Sequence, residues 1–134
     1  LELRDLSMEK IDALYEEIVG RARALEAESG VEITFTPLDV TATAALTDER
    51  IRQLIEDSAA DLGLRHVHMP SGAGHDAQEI AGIAPVGMIF VPSVGGVSHA
   101  PGELTRPGHM ANGANVLLKT ILRIDRSGLK PPPD

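Results

Sequence analysis

The stretch 86-VGMIFVPS-93 decides the fold. Its apolar residues run on without polar alternation until Pro92, the pattern of a strand buried on both faces and hence of an α/β protein. Before it lie a short strand near His66 to Met69, a turn of small residues within 70-PSGAGHDAQ-78, and a helix from about His75 to Ala81. After it comes the loop 94-VGGVSHAPGELTRPGH-109, then a helix from about Met110 to Asp125 with Leu117, Leu118, Ile121 and Leu122 apolar. The final residues, KPPPD, read as a disordered tail.

The amino-terminal third has a different pattern. Leu1, Leu3 and Leu6 alternate with Glu2 and Arg4, the period of a half-buried strand. Ser7 offers an N-cap with Glu9 in the first turn; Ile11, Leu14, Tyr15, Ile18, Ala22 and Leu25 keep helical spacing until Gly30. In 31-VEITFTPLDV-40, Val31, Ile33 and Phe35 share one face of a strand that Pro37 ends. This is a β-α-β unit with too little core to stand alone. A further helix begins at Thr47, carries Ile51, Leu54, Ile55, Ala59 and Leu62 as its stripe, and stops at Gly63. The division predicted is therefore residues 1–43, residues 44–127 and a tail over 128–134.

Composition narrows the function. At 134 residues the chain has the length of one ordinary domain. A formal net charge of −8 argues against nucleic-acid or anionic-membrane partners, and 2% aromatics argue against base stacking. The absence of Cys excludes disulfides, thiolate metal sites and a Cys nucleophile, and is compatible with the cytoplasm, the predicted location. No apolar run is long enough to span a bilayer.

Three places could carry chemistry. His66 and His68 point to one face of a strand and could share a metal, but no carboxylate or Cys accompanies them at fixed spacing, so a solvated edge is the simpler reading. In 70-PSGAGHDAQ-78, small residues allow close backbone approach to a ligand that His75 could meet; a capped tight turn explains the same residues. In the loop after Pro92, Gly95 and Gly96 free the backbone before His99, which Pro101 holds in an extended loop where α/β sheets bind ligands. His99 could ligate zinc or manganese, and Glu103 could orient that loop or lie on the surface. Arg4 suits either a surface ion pair or capture of a carboxylate. No G-x-S-x-G elbow, P-loop or dinucleotide fingerprint is present.

Taken together, 69-MPSGAGHDAQEIAGIAPVGMIFVPSVGGVSHAPGELT-105 resembles the metal-dependent amidohydrolases of the allantoate amidohydrolase and N-carbamoyl-L-amino-acid hydrolase family, which share a zinc-peptidase-like architecture. The resemblance extends more loosely over 112-NGANVLLKTIL-122 and 1-LELRDLS-7. It implies that residues 1–43 end a ferredoxin-like lid that also makes a homodimer, and that residues 44–127 are the carboxyl-terminal part of an α/β catalytic domain. It implies two divalent metal ions, zinc or manganese, and a small substrate with a carboxylate and a ureido or amide group. By position, His99 matches a metal ligand and Gly74 a substrate contact. His75 matches the group that binds substrate and steadies the carbonyl oxygen as it becomes tetrahedral. Arg4 matches the residue that reaches the substrate carboxylate from the lid of the neighbouring subunit. Glu2 stands where Asp is usual.

The family's H-x-D pair, its tandem Glu-Glu serving as base and ligand, and its other ligand His find no counterpart here; all are expected before Leu1. The segment "RPGHMANG" also departs from the usual acidic helix start, so His109 is read as surface. The expectation is an incomplete metal site and a chain inactive by itself. The alternative is a non-catalytic association module with the same partial fold.

Overall fold

Ser7 starts the first helix as its neighbours require. Its backbone is extended at φ −109°, ψ 115°, and its hydroxyl accepts the Lys10 N–H at 3.4 Å. Helix α1 runs Met8–Ser29 and stops at Gly30, whose φ of 71° only glycine adopts without strain and whose N–H donates to the Glu26 carbonyl at 2.9 Å. The chain then returns along α1. Glu26 Oε1 accepts the Ile33 N–H at 2.7 Å, and Phe35 meets Tyr15 edge-on with ring centroids 6.0 Å apart. Ile33 and Phe35 are half-buried while Thr34 and Thr36 are exposed, so the expected two-residue alternation holds from Ile33 to Thr36, but Val31, expected on the same face, is exposed.

This computed structural model describes residues 1–38 and 43–129. The chain forms two compact units, Leu1–Leu46 with Pro70–Gly82, and Thr47–Met69 with Ile83–Asp134. Part of the boundary expected near Thr41, and residues 130–134 of the expected tail, lie outside the described residues. The first unit holds α1 and the short helix α3 (Ala77–Ala81).

The second unit is built on α2 (Glu49–Asp61) and α4 (Pro107–Ser127), which pack together. Small residues permit the approach: Ser58 and Ala59 on α2 and Thr120 on α4 are buried, with Ile51 and Val116. Both hydroxyls are satisfied within their own helices, Ser58 by the Leu54 carbonyl at 2.6 Å and Thr120 by the Val116 carbonyl at 2.8 Å. Asp61 closes the helix pair by taking Lys119 Nζ at 2.8 Å and Arg123 Nη2 at 2.5 Å. The cap of α2 is Asp48, one residue beyond the expected start at Thr47. Helix α4 begins three residues earlier than expected, with Pro107 in the first turn where its missing N–H costs nothing.

Among the described residues there is no paired strand. The stretches expected as strands, including 86-VGMIFVPS-93, carry no ladder. Periodicity reports which face of a segment is apolar, whereas a strand exists only when a neighbour supplies hydrogen bonds. Nor is 86–93 buried on both faces: Gly87 lies against Ile51 and Ile55 of α2, Val91 lies against Gly113 of α4, and Phe90 is about half exposed.

Candidate functional site

Within the first unit, the two segments singled out for substrate binding meet. Arg4 Nη1 donates to the Gly72 carbonyl at 2.5 Å, while its Nε and Nη2 engage Glu2 Oε1 at 2.7 and 2.6 Å. The Arg4–Glu2 pair is exposed and contributes little stability. Its consequence is orientation, since it holds one edge of the guanidinium while another edge reaches the small-residue turn.

That turn is organised by Ser71. Its hydroxyl lies 3.0 Å from His75 Nε2 and 3.3 Å from both the carbonyl and the N–H of Ala73. A hydroxyl that both donates and accepts can fix the His75 tautomer and ring plane. Gln78 supports the backbone from below: Oε1 accepts the His75 N–H at 3.2 Å, and Nε2 donates to the Thr43 carbonyl at 3.0 Å. A side chain at Gly74 would crowd Gln78 Oε1, at 3.3 Å from its Cβ. The Ser71–His75 contact was not read from sequence. The helix expected from His75 starts only at Ala77, because residues 71–76 form this turn instead.

Within the second unit, His99 sits on a loop that closes on itself rather than remaining extended. The Val94 N–H donates to the Leu104 carbonyl at 2.8 Å, and the Ser93 hydroxyl to the Val97 carbonyl at 2.5 Å. Gly95 and Gly96, at φ 66° and 70°, make the reversal possible. His99 has a φ of 55° and is the one non-glycine residue in that region among those described. Its N–H donates to Glu103 Oε2 at 2.8 Å, so Glu103 orients the loop through the backbone. The imidazole is exposed and has no hydrogen-bond partner among the described residues. His109 is half-buried rather than on the surface, and its Nδ1 has no partner among the described residues.

His66 and His68 do have a carboxylate. Glu56 of α2 bonds His66 Nε2 at 3.0 Å through Oε1 and His68 Nε2 at 3.2 Å through Oε2. These bonds, His66 first, hold the Glu56 carboxyl below its ordinary range, and the same pairing raises His66. Glu56 escaped sequence reading because it comes from a helix 10 and 12 residues earlier, brought back by the chain reversal at Gly63.

The comparisons with known proteins agree on the class. The model of peptidase family M20/M25/M40 matches residues 2–123. The chain belongs to this family. It is 39% identical over 124 residues to an N-carbamoyl-L-amino acid amidohydrolase of Geobacillus stearothermophilus, covering 92% of this chain and 30% of that protein. It is 31% identical over 124 residues to a ureidoglycolate hydrolase of Arabidopsis thaliana, covering 92% of this chain and 26% of that protein. It is 40% identical over 77 residues to an allantoate amidohydrolase of Bacillus subtilis (strain 168), covering 58% and 19%. A crystal structure of a Burkholderia cenocepacia protein assigned as an amidohydrolase/peptidase superposes with a TM-score of 0.74 at 34% identity, covering 88% of this chain and 29% of that one. The chain thus spans under a third of the length of these relatives. No helix among the described residues is long and apolar enough to cross a membrane.

Proposed function

We propose that this chain supplies the carboxyl-terminal part of an amidohydrolase that cleaves a linear amide or ureido C–N bond in a small carboxylate-bearing molecule. The observation that carries the proposal is the meeting of Arg4 with the Gly72–His75 turn, in a chain whose relatives are named for N-carbamoyl amino acids, ureidoglycolate and allantoate. Each of those names denotes a carboxylate with a ureido group. A planar guanidinium suits the first group, and an oriented imidazole suits the oxygen of the second.

The roles are those the resemblance implies, and the local geometry supports them. Arg4 binds the substrate carboxylate. Gly74, lacking a side chain, lets substrate approach the backbone, and His75, its ring held by Ser71, donates to the carbonyl oxygen as it gains charge. His99 supplies one ligand to a pair of divalent ions, zinc or manganese. An exposed imidazole on a loop anchored by Glu103 fits that role, but one ligand cannot hold two metals. The metal, when bound, supplies an activated water. We place a homodimer contact in residues 1–43; because Arg4 reaches the Gly72 turn of its own chain, we assign it to that chain's site in place of the neighbouring subunit's, and we assign the protein to the cytoplasm, with which a cysteine-free chain is compatible.

A segment exchange tests the reading. Replacing the matching 124 residues of the Geobacillus stearothermophilus enzyme with those of this chain should give a chimera that releases ammonia from an N-carbamoyl-L-amino acid. This chain alone, supplied with zinc or manganese, should release none. A folded, metal-loaded chimera without turnover would favour the non-catalytic association module.

A further inference from the structure

Gly63 reverses the chain at the end of α2. Its φ is 67°, and the Leu64 N–H donates to the Ala59 carbonyl at 3.0 Å, so the following residues run back beside the helix. His66 and His68, two residues apart, therefore turn to the same side and meet Glu56. We propose that Glu56, His66 and His68 form a binding site for one zinc-class divalent cation.

The ligand set is right for such an ion. Two imidazoles and a carboxylate suit borderline metals, and three protein ligands leave a fourth position for water or a small anion. The three ligand atoms lie within 4.8 Å of one another, a spread that a metal at about 2.0–2.2 Å from each can close with small rotamer adjustments. All three side chains are partly exposed, at 34% for His66, 60% for His68 and 35% for Glu56, so an ion can reach them from solvent. The cation would replace two hydrogen bonds that already aim both Nε2 atoms at one carboxylate. The group does not include His99, and the proposal stands independently of the hydrolytic reading.

The test is zinc binding by this chain, measured by competition with a chromophoric chelator, with Co²⁺ as a visible reporter of four-coordination. One Zn²⁺ per chain is expected, with Mg²⁺ failing to compete because it demands oxygen ligands. Glu56→Gln and His68→Asn should each weaken zinc by at least about 100-fold, the upper end of what loss of a merely supporting residue costs. His99→Ala should leave this binding intact. Circular dichroism checks that each variant is folded, and His68, being exposed, is the substitution least able to disturb folding. Failure of the unaltered chain to retain zinc, or equal affinity in the folded His68→Asn and Glu56→Gln variants, would overturn the proposal.

Discussion

Arg4 Nη1 donates to the carbonyl oxygen of Gly72 at 2.5 Å, across 68 residues of sequence. A guanidinium could satisfy itself on the nearby Glu2 alone, yet it reaches the turn that carries Gly74 and His75. If that reach serves substrate, Arg4→Ala in the chimera should raise KM for an N-carbamoyl amino acid about 10- to 100-fold, the worth of a charged hydrogen bond, with a smaller effect on kcat. Arg4→Lys should recover only part, because an ammonium cannot make the bidentate contact. Unchanged KM in both variants would remove Arg4 from the site.

His75 should behave in the opposite sense. A donor to a developing oxyanion acts in the transition state, so His75→Ala should lower kcat by about 10²–10³ with little change in KM. Ser71→Ala removes the group 3.0 Å from the ring, and should lower kcat less. A rise in KM alone would make His75 a binding residue.

His99 holds a conformation that costs non-glycine residues stability, on the order of 1 kcal/mol or more. Glycine accepts φ 55° without strain, so His99→Gly should keep or raise the thermal midpoint of this chain while abolishing turnover in the chimera. Destabilisation by His99→Gly would mean the side chain serves the fold.

Asp48 makes α2 sensitive to acid. Arg50 bonds its carboxylate at 2.6 Å, and the N–H groups of Arg50 and Ile51 donate to Oδ1, holding the carboxyl at about 2 against an ordinary 3.8. Because the folded value is the lower one, this stabilisation is complete above about pH 4 and is lost as the pH falls toward 2. Thermal midpoints between pH 5 and pH 2 should therefore fall more steeply for the unaltered chain than for Asp48→Asn. Parallel pH curves would contradict the assignment.

Two glycines should respond oppositely to alanine. A Cβ at Gly87 would collide with Ile51 Cγ2, on a stiff, buried side chain, and stand 3.1 Å from Ile55 Cδ1. Gly87→Ala should cost about 1–3 kcal/mol by overpacking. Gly20 lies inside α1 with nothing within 4 Å of a built Cβ, so Gly20→Ala should stabilise by up to about 1 kcal/mol. Denaturant midpoints of the two variants decide it, and shifts in the same direction would contradict the packing described.

Local chemistry explains which features were legible in the sequence. Ser7 and Gly30 bound α1 through bonds reaching three or four residues, and such rules need no knowledge of the rest of the fold. Helix α4 starts at Pro107, three residues before the start expected at Met110, although a proline in a first helical turn is itself a local signal. The expected strands depended on partners that no periodicity names, and none is paired among the described residues. The same limit hid Glu56 from His66 and His68, whereas Glu103, four residues from His99, was close enough to suspect. The roles of Arg4, Gly74, His75 and His99 came from resemblance, and spacing alone left each of them open.

The most direct test of the account is turnover of an N-carbamoyl-L-amino acid by the chimera carrying His99→Ala. An active chimera is expected to lose turnover and the metal of its catalytic pair on this single change, while keeping any ion held by Glu56, His66 and His68 and folding as before. Full turnover by a folded His99→Ala chimera would contradict this expectation.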